Sequence, residues 1–209
     1  MQIVLEHELS RDVAEAATEL LQVLCCGEES AVFAFSALSR HPALNAAAGA
    51  CAARIAREEM FHDELLRGLR RVLPAPRPDA PLLARLKDFY GALETGDIFV
   101  HLTQISALDS GVCIILSALR GAGRPVGANR TLEAIFRRIQ RDEVGHVRDS
   151  TRLARELGPQ RARTEHLMQT RAQLAELVLL RADALETLHV DPNALRRNLL
   201  RGAVPGAGR

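Results

Sequence analysis

The 209-residue chain has no tryptophan, one tyrosine and only 3% aromatic residues. Runs that alternate apolar with polar residues, the mark of half-buried strands, are missing too, and Ala, Leu, Arg and Glu dominate. This composition excludes sandwiches and barrels and is that of an all-α protein. There is no excess of either charge: the formal net charge is +1, and only Arg196, Arg197 and Arg201 form a modest basic cluster. A nucleic-acid partner, which calls for a concentrated basic face, is therefore not expected. The first residues, Met1 to Glu6, lack the basic and apolar segments of a secretory signal. The four cysteines (Cys25, Cys26, Cys51 and Cys113) lie within helical patterns. A reducing cytoplasm is the expected compartment.

Long charge-free apolar runs are lacking as well. The segment Ile98 to Leu119 is long enough to span a bilayer but contains His101, Gln104 and Asp109. An acid at mid-span costs about 2.5–3.5 kcal/mol on insertion, so this segment is expected to be a core helix rather than a membrane span.

What the chain does have is 47% hydrophobic residues in helical periodicity, enough for one compact domain over residues 1–201. The last residues, 202–209, are expected to form a disordered tail. A first helix starts after Ser10 and carries Ala17, Leu21, Leu24, Glu28, Ala31, Phe35 and Leu38 on one face. A second starts near Pro42, ends before Pro74, and aligns Ala52, Ile55, Glu59, His62, Leu66 and Leu69. After a long Pro-rich connection, a third runs from Asp97 to Arg120 with Leu102, Ile105, Asp109, Val112 and Leu116 on one side. A fourth extends to Leu157 through Leu132, Ile139, Glu143, His146 and Leu153, and is stopped by Gly158-Pro159. A fifth helix from Gln160 to Leu188 and a short sixth after Asp191-Pro192 complete the chain. The long connection between the second and third helices allows those two to run parallel, a crossover found in some four-helix bundles.

Two stretches stand out: Glu59-x-x-His62 and Glu143-x-x-His146. Residues three apart share a helical face, so each stretch aims one carboxylate and one imidazole at one point. With 7 His in the chain, random placement gives about half a Glu-x-x-His, and a stray third copy occurs at Glu186 and His189 at a helix end. The context of the first two separates them from accident. Each is preceded by a lone acid in an apolar stripe, Glu28 before Glu59 and Asp109 before Glu143, so the two halves of the chain repeat one pattern. Adjacent Glu29, on a more polar face, competes with Glu28 for the first position. Four buried carboxylates would each cost several kcal/mol if uncompensated, and two divalent cations balance them. Oxygen-rich sites with one imidazole each suit iron or manganese better than structural zinc.

These residues resemble the ferritin-like di-iron carboxylate superfamily, which includes bacterioferritin, rubrerythrin and bacterial multicomponent monooxygenases. The resemblance covers about Ser10 to Leu157. Locally, Asp142-Glu143-Val144-Gly145-His146 is similar to a fourth-helix segment of bacterioferritin. The resemblance implies a ferritin-like four-helix bundle with additional C-terminal helices and a pair of iron ions, with manganese or a mixed pair as alternatives. It implies that Glu59 and Glu143 bridge the metals, that Glu28 and His62 complete one, and that Asp109 and His146 complete the other. Glu58 and Asp142 match acids that accept hydrogen bonds from the opposite helix's metal-bound imidazole. The third-helix ligand of the superfamily is commonly Glu, so Asp109, one methylene shorter, either holds its metal at longer reach or leaves an extra open position. Met60 stands where bacterioferritin has its haem-binding methionine and is expected to be surface or interface packing. A rubrerythrin-like peroxide reductase is not expected, because the chain has no Cys-x-x-Cys pair for a rubredoxin iron. The implied activity is that of a dioxygen-activating oxidoreductase on a small organic substrate, fed by an electron donor, in a cytoplasmic homodimer. The alternative is a ferroxidase that handles iron itself, and the long fifth and sixth helices weigh against it. Tyr90, 19 positions before Asp109, is expected to lie too far from the metals to store a radical.

Overall fold

A computed structural model describes residues 3–93, 96–158 and 160–202, with the side chains of 160–163 left undescribed. Among the described residues there are only helices: α1 (Arg11–Leu38), α2 (Ala46–Val72), α3 (Ala80–Ala92), α4 (Ile98–Leu119), α5 (Pro125–Ala128), α6 (Arg130–Leu157), α7 (Gln160–Leu179), α8 (Ala182–Thr187) and α9 (Pro192–Arg201). Of the tail expected over 202–209, Gly202 is ordered as the left-handed cap of α9, and the rest lies outside the described residues.

Side-chain caps set where the long helices begin. The Ser10 hydroxyl accepts from Val13 N, Asn45 Oδ1 from Ala48 N, Asp97 Oδ1 from Phe99 N, and Asn129 Oδ1 from Thr131 N and Leu132 N. Each cap satisfies backbone donors that the first turn leaves without a partner. α2 thus starts at Ala46, not near Pro42, because His41 Nδ1 accepts from Ala43 N and holds residues 41–44 as a turn. The expected fourth helix is preceded by the separate short turn α5. The expected fifth helix is two helices, broken at Leu180 and Arg181.

Two apolar clusters fix the relative directions of the long helices. One joins the end of α1 (Phe35, Leu38), the start of α2 (Ala48, Ala52), the start of α4 (Phe99, Leu102) and the end of α6 (Leu153, Ala154). The other takes the opposite ends: Leu20 and Leu24, Leu66 and Leu69, Leu116 and Leu119, Leu132 and Phe136. α1 therefore runs antiparallel to α2, and α4 antiparallel to α6, while α2 and α4 run the same way, joined by the long connection that contains α3. α1 packs closely on α2, and α4 on α6, whereas α1 and α4 pack against each other far less closely. α7 and α9 cover the outer side of α4, and α8 packs on α1.

α1 and α4 are long and apolar enough to cross a membrane by length and composition alone. In α4, 78% of the apolar window is buried by other helices, as befits a core helix.

Candidate metal centre

Midway between the two apolar clusters, the four long helices turn six polar side chains inward. Glu28 comes from α1, Glu59 and His62 from α2, Asp109 from α4, and Glu143 and His146 from α6; none is more than 5% exposed. Glu29, one position on from Glu28, faces solvent. The choice follows from helical phase: the buried stripe of Leu21, Leu24 and Leu38 continues through Glu28 and not its neighbour.

Glu59 and Glu143 occupy the middle of the cluster. Glu59 places Oε2 3.2 Å from His62 Nδ1 and Oε1 2.9 Å from His146 Nδ1. Glu143 does the same with Oε1 3.4 Å from His62 Nδ1 and Oε2 3.4 Å from His146 Nδ1. Each of these carboxylates therefore offers one oxygen to each imidazole. Glu28 Oε2 joins only the His62 side, 3.3 Å from its Nδ1. Two groups of ligand atoms, each mutually within 4.8 Å, result: Glu28, Glu59, His62 and Glu143 in one, Asp109, Glu143 and His146 in the other. The imidazole centroids are 5.7 Å apart.

These donors fit a pair of cations better than they fit one another. Glu28 Oε2, Glu59 Oε1, Asp109 Oδ2, Glu143 Oε2 and His146 Nδ1 are all buried without a hydrogen-bond partner. His146 Nδ1 and Glu59 Oε1 are only 2.9 Å apart, yet their angle is not that of a hydrogen bond. Such orphaned atoms cost about 1–3 kcal/mol each unless a cation lies among them, and charged groups cost more. All of them converge on one shared region.

The electrostatic surroundings of these groups point the same way. Burial, reinforced by the charges of Glu59 and Glu143, pushes the Glu28 carboxyl well above the usual carboxylate range. Burial likewise raises Asp109, again with Glu143 and Glu59 adding to it. Burial opposes the charged form of both imidazoles but is overridden by the carboxylates around them. Glu143, Glu28 and Glu59 raise His62, and Glu143 and Glu59 raise His146 to about 11. For Glu59, burial works upward but the two imidazoles draw the pKa down to about 2. Protons thus supply in the metal-free centre the positive charge that cations would otherwise bring.

Outside this cluster, both imidazoles are held from behind. His62 Nε2 lies 3.3 Å from Asp142 Oδ2 and His146 Nε2 lies 2.9 Å from Glu58 Oε2, so each meets an acid on the other's helix. Behind each acid stands an arginine. Arg138 Nε donates to Asp142 Oδ2 at 2.6 Å, and its guanidinium lies over the Phe61 ring. Arg54 donates to Glu58 and, at 2.7 Å, to Asp149 Oδ2. The two arginines were legible in the sequence through a longer repeat, Arg54-Ile-x-Arg-Glu58-Glu59-x-x-His62 and Arg138-Ile-x-Arg-Asp142-Glu143-x-x-His146. Asp149, one turn beyond His146, is buried by its bond to Arg54 rather than solvated.

On the side away from the histidines, a cavity of about 310 Å³ lies between α1 and α4 and reaches Glu28, Glu59, Asp109 and Glu143. Ala31, Ala34, Leu38, Ile105 and Leu108 give it apolar walls, and His41 and His101 line it as well. Tyr90 lines it too, with its hydroxyl packed against Gly27, the residue before Glu28. Tyr90 lies outside α4 as expected, but α3 folds back over α1 and brings it to the cavity wall beside Gly27. His101 is half-buried in the cavity wall, its Nδ1 2.6 Å from Leu93 O. Glu186 and His189 are exposed and far from any such cluster, and Met60 is exposed on the surface. Cys25 and Cys113 are buried outside the cavity wall, and burial raises both thiols.

No protein-family model, curated protein or solved structure matches the chain.

Proposed function

We propose that the chain is a ferritin-like four-helix bundle holding two divalent metal ions, iron first, with manganese or a mixed pair as alternatives. In this reading it is an oxidoreductase that uses dioxygen to oxidise a small organic substrate. The observation that carries the reading is that Glu59 and Glu143 each present one oxygen to each of two imidazoles. Glu28 and His62 complete the ligand set on one side, and Asp109 and His146 on the other. When bound, such a pair supplies Lewis acidity and the redox equivalents for activating dioxygen.

The chain's own residues prepare that chemistry. Asp142 and Glu58 accept from the Nε2–H of His62 and His146, which leaves both Nδ1 lone pairs free for a metal and makes the rings more basic. Arg138 and Arg54 hold those two acids in place. Asp109, a methylene shorter than Glu, leaves space on the cavity side, where a substrate approaches. The apolar walls exclude water from that face.

Iron handling, with Fe(II) as the substrate, uses the same ligands. The apolar cavity against the carboxylates favours the organic substrate, because an ion needs no such chamber. An electron donor, a cytoplasmic location and a homodimer belong to the same proposal. Metal analysis and light scattering on purified protein test it together. Two iron or manganese ions per chain in a dimer support the oxidoreductase. Two ions in a closed shell of many subunits favour iron handling, and trace metal with no gain in Tm on adding iron or manganese overturns both.

A further inference from the structure

The cavity is elongated. Along α4 it is lined from Ile98 to Val112, and along α1 from Gly27 to Leu38, which at 1.5 Å per residue corresponds to about 15–20 Å. Its volume of about 310 Å³ lies at the small end of ligand pockets. Between the two ends the walls are mostly apolar, with Ser30, Tyr90 and His101 among them, and the inner end holds four carboxylates.

The outer end is polar in a defined sense. His41 Nδ1 accepts a hydrogen bond from Ala43 N at 3.2 Å, so the proton of the neutral ring sits on Nε2, which makes the ring a donor there. His41 lines the cavity beside Ala37 and Leu38, with Phe33 exposed at the same seam. A molecule that enters with an accepting head and an apolar tail finds a donor for its head at His41 and apolar walls for its tail beyond it.

We propose that this channel receives an unbranched aliphatic chain with a carboxylate or carbonyl head, inserted tail first. The proposal rests on the oxidoreductase reading for its chemistry, because it is the carbon chain that the centre would meet. Binding itself depends only on the channel.

The test is calorimetric titration of the metal-loaded protein, and of the metal-free protein in parallel, with hexanoate, octanoate, decanoate and adamantane-1-carboxylate. Burying each added methylene is expected to tighten Kd about fourfold until the channel is filled. The compact adamantane acid is expected to bind more weakly than decanoate. Ala34→Phe, on the channel wall, is expected to weaken decanoate at least tenfold while the metal content stays that of the parent. His41→Ala is expected to weaken every member of the series about tenfold, the loss of one hydrogen bond to a charged head. An affinity indifferent to chain length, adamantane acid binding as well as decanoate, or decanoate binding unchanged in both variants would overturn the proposal. Two metals per chain without a chain-length ladder would leave the oxidoreductase reading standing and sink this one. The ladder in a protein that takes up no metal would do the reverse.

Discussion

At the scale of single residues, the account turns on charge. Glu28 and Asp109 are acids whose buried surroundings favour the protonated form, and His62 and His146 are imidazoles whose carboxylate neighbours favour the charged form. The sign of the pH dependence follows. A carboxyl raised above its unfolded value destabilises the fold as pH climbs past that value. A raised imidazole contributes stability below about pH 6.5, and that stability is lost as pH rises toward the folded value, about 11 for His146. Both effects run the same way, so the Tm of the metal-free protein is expected to fall as pH rises from 5 to 9, as differential scanning calorimetry would measure. Metal binding displaces those protons, so the Tm gain on adding iron or manganese is expected to grow over the same range. Glu28→Gln removes one buried titrating group. At pH 8 it should raise the metal-free Tm by about 2–4 °C for each kcal/mol relieved, and it should shrink the metal-dependent gain. A fall in the metal-free Tm would mean that Glu28 is held by partners other than a cation. Arg54→Leu acts one step further out by freeing Glu58 from its place behind His146. It is expected to weaken metal affinity about 10–100-fold with an unchanged helical spectrum. Arg54→Lys should not restore it, since one ammonium cannot reproduce a guanidinium fork that spans Glu58 and Asp149.

At the scale of helices, much was legible in the sequence because apolar periodicity and capping residues are local signals. Ser10, Asp97 and Asp191 each cap the helix the sequence assigns to them. The inward acids were legible for the same reason, as they interrupt stripes that otherwise hold Leu, Ile and Phe. Other features depended on partners that no periodicity reveals. The break at Leu180 and Arg181 falls within a continuous helical pattern, and Arg181 there pairs with Asp79 at 2.6 Å, a residue about a hundred positions away. Asp149 is drawn into the network only by its bond to Arg54, from another helix. Gly111 is a third case. A Cβ at that position would lie 2.3 Å from Leu174 Cδ2, so α4 and α7 approach each other through it. Gly111→Ala is expected to cost about 1–3 kcal/mol as Leu174 is pushed aside. Because Leu174 also lines the cavity, the same substitution should weaken decanoate binding, and thermal unfolding with parallel titration checks both.

At the scale of the whole molecule, the site depends on unequal packing. α1 grips α2 and α4 grips α6, while α1 and α4 stand apart and leave the cavity between them. No reading of single helices anticipates that gap, since it is set by how two pairs of helices meet and by α3 crossing over them with Tyr90 and Leu93. The ligands, by contrast, came from two distant halves of the sequence that repeat one pattern, and the fold brings both halves to one point. Whether that point holds a pair of cations is measured most directly by anomalous diffraction from crystals grown with iron. The account predicts two strong peaks, one beside Glu28 and His62 and one beside Asp109 and His146, with Glu59 and Glu143 between them. A single peak on the surface, or none inside the cluster, would contradict it.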